Sequence, residues 1–197
     1  MAFPDRLRLP LSFDPARLAR DLATVSSADW IAHFVPQNYD GDWSAIPLRG
    51  AAGATHPIKM IYADPTATEF EDTPFLAPCP YFREVLAAFQ CELQCVRLMR
   101  LTPGSTIKEH HDLDLDAKHG SARLHIPVIT NPEVEFELSR RRIVMAPGEV
   151  WYLRLADPHR VYNRGTTDRV HLVVDTLMND WLAGMMRQAA EAAANAS

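Results

Sequence analysis

The second half of the chain alternates short apolar segments with turn sequences, and this pattern constrains the fold more than any other feature. Pro103-Gly104, Asn131-Pro132 and Pro147-Gly148 are typical turn dipeptides, and each separates segments rich in Val, Ile and Leu. Short strands at close spacing favour an antiparallel sandwich or a jelly-roll barrel. We therefore expect a mainly β fold whose helices pack on the outside of the barrel.

Individual strands can be assigned from the periodicity. Val134, Phe136 and Leu138 alternate with glutamates, which predicts a half-buried strand with one solvent-exposed face. Arg140-Arg141-Arg142 follows directly and is interpreted as a solvated hairpin tip rather than a nucleic-acid patch. The strands predicted in this half of the chain are 96–101, 121–130, 134–138, 143–145, 150–155 and 169–175.

The first half of the chain contains fewer strand signals. Asp14-Pro15 is a typical helix start, with Asp as the N-cap and Pro at the first helical position. Residues 50–78 lack periodicity and are predicted as a long ordered loop with a short strand at Ile58–Tyr62. The other predicted elements are an edge strand at 6–9, a strand at 43–48 and helices at 80–90 and 181–194.

Composition excludes several classes of protein. The net charge is −5 with both signs interspersed, so no basic face for nucleic acid is expected. No apolar run reaches the roughly 18–20 residues of a membrane span, and the N-terminus lacks the order of a signal peptide. Cys79, Cys91 and Cys95 form no CxxC pair, which argues against a disulfide framework or a zinc ribbon. These features predict a cytoplasmic protein with reduced thiols.

Glu109-His110-His111-Asp112 is the strongest candidate for a metal site. If this segment is extended, His110 and Asp112 point to the same side and His111 points away. His159, in an Asp-Pro-His turn, can supply a second imidazole. Two histidines and one carboxylate leave coordination positions open, as non-haem iron(II) requires when it binds a cosubstrate and oxygen.

The acidic residues after His111 also suggest a calcium-binding loop. In an EF-hand starting at Asp112, glycine would stand at the sixth position and glutamate at the twelfth. Ala117 and Arg123 occupy those positions, so the pattern fails. Asp114 and Asp116 are therefore predicted to be solvated loop residues.

Arg169 is the candidate anchor for an acidic cosubstrate. On a strand from residue 169 to 175, Arg169, His171 and Val173 share one face. A buried guanidinium requires an anion, and the distal carboxylate of 2-oxoglutarate fits its bidentate geometry. The alternative is a structural ion pair with Asp168 or Glu149. His171 is either a core histidine or part of the same pocket.

The order of the motifs resembles the aspartyl/asparaginyl β-hydroxylase family of iron(II)- and 2-oxoglutarate-dependent dioxygenases. An Asp ligand is present, as in the bacterial small-molecule branch, which includes a proline hydroxylase, whereas some animal members lack it. Weaker similarity extends upstream to about residue 72. The motifs that carry the resemblance are Leu101-Thr102-Pro103-Gly104, Glu109-His110-His111-Asp112, Arg123-Leu124-His125-Ile126-Pro127, Ala146-Pro147-Gly148-Glu149-Val150-Trp151, Pro158-His159-Arg160-Val161-Tyr162-Asn163 and Arg169-Val170-His171-Leu172.

The resemblance implies a double-stranded β-helix, a jelly-roll and cupin-like fold, in a single domain over residues 1–197. Residues 1–92 would form an α+β layer against the barrel, 93–178 the β-helix core, and 179–197 a C-terminal helix. By the same resemblance, the iron ligands are His110, Asp112 and His159, and the residues that contact 2-oxoglutarate are Arg169, Arg123 and His125.

The expected activity is hydroxylation of an sp³ carbon with release of succinate and CO₂. The resemblance implies iron(II), 2-oxoglutarate and O₂, with ascorbate supportive in vitro. The expected substrate is a small molecule or a peptide that carries a carboxylate, with no nucleic-acid or membrane partner; the oligomeric state is left open. One alternative is a non-catalytic cupin-like binding or regulatory module. Another is a metal-dependent isomerase or hydrolase, which would not need Arg169.

Overall fold

The computed structural model describes residues 3–25, 27–112 and 115–195, and antiparallel strands dominate them. The helices are α1 (Pro15–Leu22), α2 (Pro57–Ile61), α3 (Pro80–Ala87) and α4 (Asp180–Asn195). The strands are β1 (Arg6–Ser12), β2 (Ile31–Ala32), β3 (Tyr39–Asp40), β4 (Trp43–Ala51), β5 (Phe70–Asp72), β6 (Leu93–Leu101), β7 (Thr106–His110), β8 (Ser121–Ile129), β9 (Val134–Leu138), β10 (Arg141–Ile143), β11 (Glu149–Leu153), β12 (His159–Asn163) and β13 (Arg169–Leu177).

The strands of the described residues form two antiparallel sheets. The larger has eight strands in the order β1-β11-β8-β13-β6-β4-β2, with β5 paired to β4. The smaller has five strands in the order β10-β9-β12-β7-β3. Most neighbouring strands are not consecutive along the chain, so the chain crosses between sheets repeatedly, as a jelly roll does. The prediction of a mainly β, jelly-roll fold is confirmed.

The larger sheet buries both of its faces. On β13, Val170, Leu172 and Val174 join an apolar cluster with α1, α3 and α4. Val173 points the other way, into a second cluster between the two sheets. A strand buried on both faces has a continuous apolar sequence, which explains the run from Val170 to Val174. By contrast, β9 alternates buried and half-buried residues, as its glutamates predicted.

The helices start where local sequence signals place them. The Asp14 side chain accepts hydrogen bonds from the backbone N–H groups of Ala16 and Arg17, which caps α1 as predicted. Pro15 and Pro80 occupy the first turns of α1 and α3. Within the described residues, no helix is both long and apolar enough to cross a membrane.

The predicted strand at Ile58–Tyr62 is wrong, because this segment forms helix α2. Pro57 stands in the first turn, and the His56 side chain accepts a hydrogen bond from the backbone N–H of Ile58. A proline start and a side-chain cap favour a helix over a strand. The short strand of this region is instead β5.

Two further loop predictions need correction. The hairpin tip lies at Ser139 and Arg140, which have positive φ angles of 50° and 62°, whereas Arg141 and Arg142 belong to β10. Asp116 is buried rather than solvated, and its carboxylate accepts a hydrogen bond from the backbone N–H of Lys118. Asp114 lies outside the described residues.

Candidate active site

His110, Asp112 and His159 lie together between the two sheets. One potential ligand atom from each residue lies within 4.8 Å of the others. His110 at the end of β7 stands opposite His159 on β12. Their ring centroids are 4.2 Å apart. Asp112 lies two residues beyond the end of β7, where its backbone N–H donates to the carbonyl oxygen of Leu155, and its Oδ1 is 3.5 Å from Nε2 of His110.

Backbone carbonyls fix which ring nitrogen of each histidine is free. Nδ1 of His110 lies 2.8 Å from the Lys108 carbonyl oxygen, and Nδ1 of His159 lies 3.0 Å from that of Asp157. A carbonyl oxygen only accepts, so each Nδ1 must carry the proton, and each Nε2 keeps a lone pair. Burial also lowers the pKa of His159 to about 4, which keeps it neutral. This donor set fits a divalent metal ion.

Asp112 is held in place by a buried chain of charges. Arg123 donates from Nη1 to Oδ2 of Asp112 at 2.6 Å. Its Nε and Nη2 donate to the two carboxylate oxygens of Asp175 at 2.5 and 2.9 Å. Arg97 also donates to Asp175 and, through Nη1, to the carbonyl oxygen of Ile61 at 2.9 Å. Three donors of Arg123 are thus engaged with carboxylates of the protein.

Arg169 lies on the same face of β13 as Asp175 but has a different environment. It is 2% exposed, and its Nε has no hydrogen-bond partner among the described residues. Within that part of the chain, no carboxylate forms an ion pair with it, including Asp168 and Glu149. Glu149 bonds instead with Arg8 and Trp151. Burial without a counter-charge lowers the pKa of Arg169 to about 9.

His125 and His171 surround the guanidinium of Arg169. Nη2 of Arg169 is 2.9 Å from Nδ1 of His171, and Nδ1 of His171 is 3.3 Å from Nδ1 of His125. Burial and the nearby arginine lower the pKa of both histidines well below the usual range. Nε2 of His125 is buried and has no partner among the described residues. His171, which the sequence left undecided between core and pocket, is a buried histidine that contacts both Arg169 and His125.

The His-Asp-His donor set, the arginines and His125 line one cavity of about 670 Å³, and His171 is not among its lining residues. The structure brings together all six residues that the sequence singled out: His110, Asp112, His159, Arg169, Arg123 and His125. His111 also reaches the rim, but it is exposed, and its Nδ1 bonds to the carbonyl oxygen of Ala156 at 3.0 Å.

An aromatic wall that the sequence did not indicate closes the side of the cavity nearest His110. The ring of His33 stacks on Trp43 with centroids 3.5 Å apart and on Phe34 at 4.6 Å. Tyr62 meets Phe34 edge-on, and Trp43 lies 6.2 Å from His110. Burial lowers the pKa of His33 to about 3, so its ring is neutral. Apart from the adjacent His33 and Phe34, these residues come from separate segments, and no regular spacing connects the segments.

The sequence also did not indicate the ion pair between Arg97 and Asp175. Asp175 is six residues after Arg169 in β13, and both side chains line the cavity. Even spacing along a strand would have placed them on one face. The pairing of Arg97 with Asp175 could not be read from the sequence, because it depends on the register between β6 and β13.

Comparisons with known proteins agree with this arrangement. The model of a family described as aspartyl/asparaginyl beta-hydroxylase matches residues 16–178. An L-proline cis-4-hydroxylase of Rhizobium meliloti (strain 1021) is 29% identical over 84% of this chain. An L-proline cis-3-hydroxylase of a Streptomyces species is 24% identical over the same share. This chain spans 58% and 57% of the length of these two relatives.

A solved structure has a related fold. An oxidoreductase of the 2OG-Fe(II) oxygenase family from Burkholderia pseudomallei superposes with a TM-score of 0.52. The match covers 88% of this chain and 84% of the other, at 18% sequence identity. At that identity the likeness supports the jelly-roll fold.

Proposed function

The chain belongs to the aspartyl/asparaginyl β-hydroxylase family, since the family match extends over residues 16–178, and we propose that it is an iron(II)- and 2-oxoglutarate-dependent dioxygenase. The reaction would hydroxylate an sp³ carbon of an amino acid, either free or within a peptide. One observation carries the proposal: a His-Asp-His donor set shares a single cavity with a buried arginine that has no carboxylate partner among the described residues.

His110, Asp112 and His159 would hold the iron. Both imidazoles offer an Nε2 lone pair because their Nδ1 protons are bonded to carbonyl oxygens. Arg123 orients the Asp112 carboxylate through Oδ2, which leaves Oδ1 on the side of His110. When bound, iron(II) together with 2-oxoglutarate and O₂ supplies the oxidising power that converts a C–H bond into C–OH, with succinate and CO₂ as the other products.

Arg169 would bind the far carboxylate of 2-oxoglutarate. Its charge is buried, and no carboxylate of the described residues compensates it, so an entering dianion gains a strong charge-assisted interaction. The ring of Phe136 covers the guanidinium at 5.7 Å and excludes water from one side. His125 is close enough to Arg169 to contribute a second polar group, and its contact with the cosubstrate remains our proposal.

We propose that the substrate carries a carboxylate, as the L-proline named for the two hydroxylase relatives does. The aromatic wall of His33, Phe34, Trp43 and Tyr62 would contact the rest of the substrate. Because Cys79, Cys91 and Cys95 are free thiols, we place the enzyme in the cytoplasm.

Turnover assays can test the proposal directly. The protein is incubated with iron(II), 2-oxoglutarate, O₂ and ascorbate, which keeps iron reduced, and with a panel of free amino acids and short peptides. We expect succinate to form, and at least one substrate to gain the mass of one oxygen atom. The matched control is His110→Ala, which removes a proposed ligand.

Absence of succinate across the whole panel, with the iron still bound, would contradict the dioxygenase. That result would favour the alternative of a non-catalytic binding module. Turnover that leaves 2-oxoglutarate intact would favour a metal-dependent isomerase or hydrolase.

A further inference from the structure

Nδ1 of His171 is shared by two neighbouring side chains. Arg169 approaches it with Nη2 at 2.9 Å, and His125 approaches it with Nδ1 at 3.3 Å. All three residues are buried, with 2%, 5% and 1% exposure for Arg169, His125 and His171. The group therefore forms a small polar network in an apolar environment, where the position of each proton is strongly constrained.

The chemistry of arginine assigns these protons. A guanidinium only donates hydrogen bonds, so Nδ1 of His171 must accept, and the proton of this ring lies on Nε2. Nδ1 of His125 faces the same lone pair and must carry its own proton to avoid repulsion. Nε2 of His125 is then left as an acceptor, and it has no partner among the described residues.

We propose that His171 is a positioning residue that orients the Arg169 guanidinium for the cosubstrate carboxylate. This inference rests on the function proposed above. His171 engages one Nη2 donor and so fixes the rotation of the planar group, while Nε has no partner in the part of the chain that the structure describes. Fixing the plane before binding reduces the conformational entropy that ligand binding would otherwise cost.

Neutral imidazole is suited to this position for an electrostatic reason. An acidic residue would also accept from Arg169, but it would neutralise the charge and compete with the incoming carboxylate. An apolar residue would leave the guanidinium free to rotate and a further donor unsatisfied. Burial keeps His171 neutral by lowering its pKa, so the ring orients the cation and leaves its charge available.

Three substitutions at position 171 separate these effects. His171→Phe keeps a planar aromatic ring and removes the acceptor; we expect the KM for 2-oxoglutarate to rise about tenfold or more, with kcat at saturation nearly unchanged. His171→Asn places an amide oxygen near the position of Nδ1 and should restore most of the affinity. His171→Asp should weaken 2-oxoglutarate binding most, because the new carboxylate would form an ion pair with the Arg169 guanidinium and compete with the carboxylate of 2-oxoglutarate.

Val174→Ala is the matched control for strand stability. Val174 is buried on the opposite face of β13, so its truncation loosens the same strand without touching Arg169. We expect a lower melting temperature and an unchanged KM for 2-oxoglutarate. If Val174→Ala raises the KM as much as His171→Phe does, the effect is one of stability and the inference is wrong.

A second readout does not depend on turnover. Long-range ¹H–¹⁵N spectra of histidine rings, recorded with diamagnetic zinc(II) in place of iron, distinguish protonated from bare ring nitrogens. We expect His171 in the Nε2–H form and His125 in the Nδ1–H form. A protonated Nδ1 on His171 would overturn the inference, because that nitrogen could not accept from Arg169.

Failure of the inference and failure of the proposed function give different results. If wild-type protein neither binds nor consumes 2-oxoglutarate, both are wrong. If wild-type protein consumes 2-oxoglutarate and His171→Phe binds it with unchanged affinity, only the role of His171 is wrong.

Discussion

Arg169 and Asp175 lie on the same face of one strand, and their charges are balanced in opposite ways. Asp175, near the end of β13, accepts hydrogen bonds from two arginines, Arg97 and Arg123. Arg169, at its start, has a neutral histidine as its polar neighbour and no carboxylate among the described residues. The two cations hold the pKa of Asp175 low, whereas burial alone lowers the pKa of Arg169 to about 9.

The difference distinguishes Asp175, whose charge is paired within the protein, from Arg169, whose charge we propose to be a ligand-binding one. A buried charge is costly unless it is paired, so evolution retains an unpaired one only where something else supplies the partner. The cluster around Asp175 is complete within the protein and extends through Arg123 to Asp112. Arg169 has no anionic partner among the described residues, which supports our proposal that it binds a carboxylate of 2-oxoglutarate.

The largest effect on activity is expected at Asp112, the proposed metal ligand that Arg123 links to Asp175. Asp112→Ala removes one of three ligands and should abolish iron binding and turnover. The fold should persist, since Arg123 keeps both bonds to Asp175. Iron content after purification and succinate release measure this, with circular dichroism as the control for folding. Full activity of the variant would disprove the ligand assignment.

Asp175→Asn tests the structural end of the strand. Two buried guanidinium groups would lose their shared counter-charge, which typically costs about 3–5 kcal/mol. We expect the free energy of unfolding, measured by urea denaturation without ligands, to fall by roughly that amount. A variant as stable as wild type would mean that the Asp175 cluster contributes little to the free energy of unfolding. Asp175 and Arg169 would then not differ in the way described above.

Arg169→Met tests the binding end and should behave in the opposite way. Without 2-oxoglutarate, removal of an unpaired buried charge should leave the free energy of unfolding unchanged or raise it. Affinity for 2-oxoglutarate should fall by about 2–5 kcal/mol, because a charge partner of the ligand is lost. Titration of the zinc-loaded protein with 2-oxoglutarate measures the affinity, and an undiminished value would refute this role for Arg169.

His111→Gln should have the smallest effect. His111 is exposed, and its only described hydrogen bond is to the carbonyl oxygen of Ala156. A glutamine can replace that bond, so stability should stay within about 0.5 kcal/mol of wild type. Iron content and turnover should also be unchanged. Loss of iron in this variant would mean that His111, and not His110, is the metal ligand.

Local sequence signals predicted most of the strands and the chemical character of the site. Alternation identified β9, and the strand predicted at 169–175 corresponds to β13. The strand predicted at residues 58–62 was wrong, because a histidine cap and a proline in the first turn favour a helix there. The expectation that His110 and Asp112 share a strand face was only partly met, because β7 ends at His110 and Asp112 is held by Leu155 and Arg123.

By itself, the sequence determined which residue types could bind a metal and an anion, because ligand chemistry and strand periodicity are local properties. Only the tertiary structure decided which buried arginine has no carboxylate partner among the described residues. Arg97 and Asp175 are 78 residues apart, and Arg123 and Asp175 are 52 apart. Their pairing depends on the register of β13 with β6 and β8. The same register brings His125 of β8 against His171, whereas the contact between His171 and Arg169 is local to β13. The charge balance of the site therefore depends on pairing between distant strands.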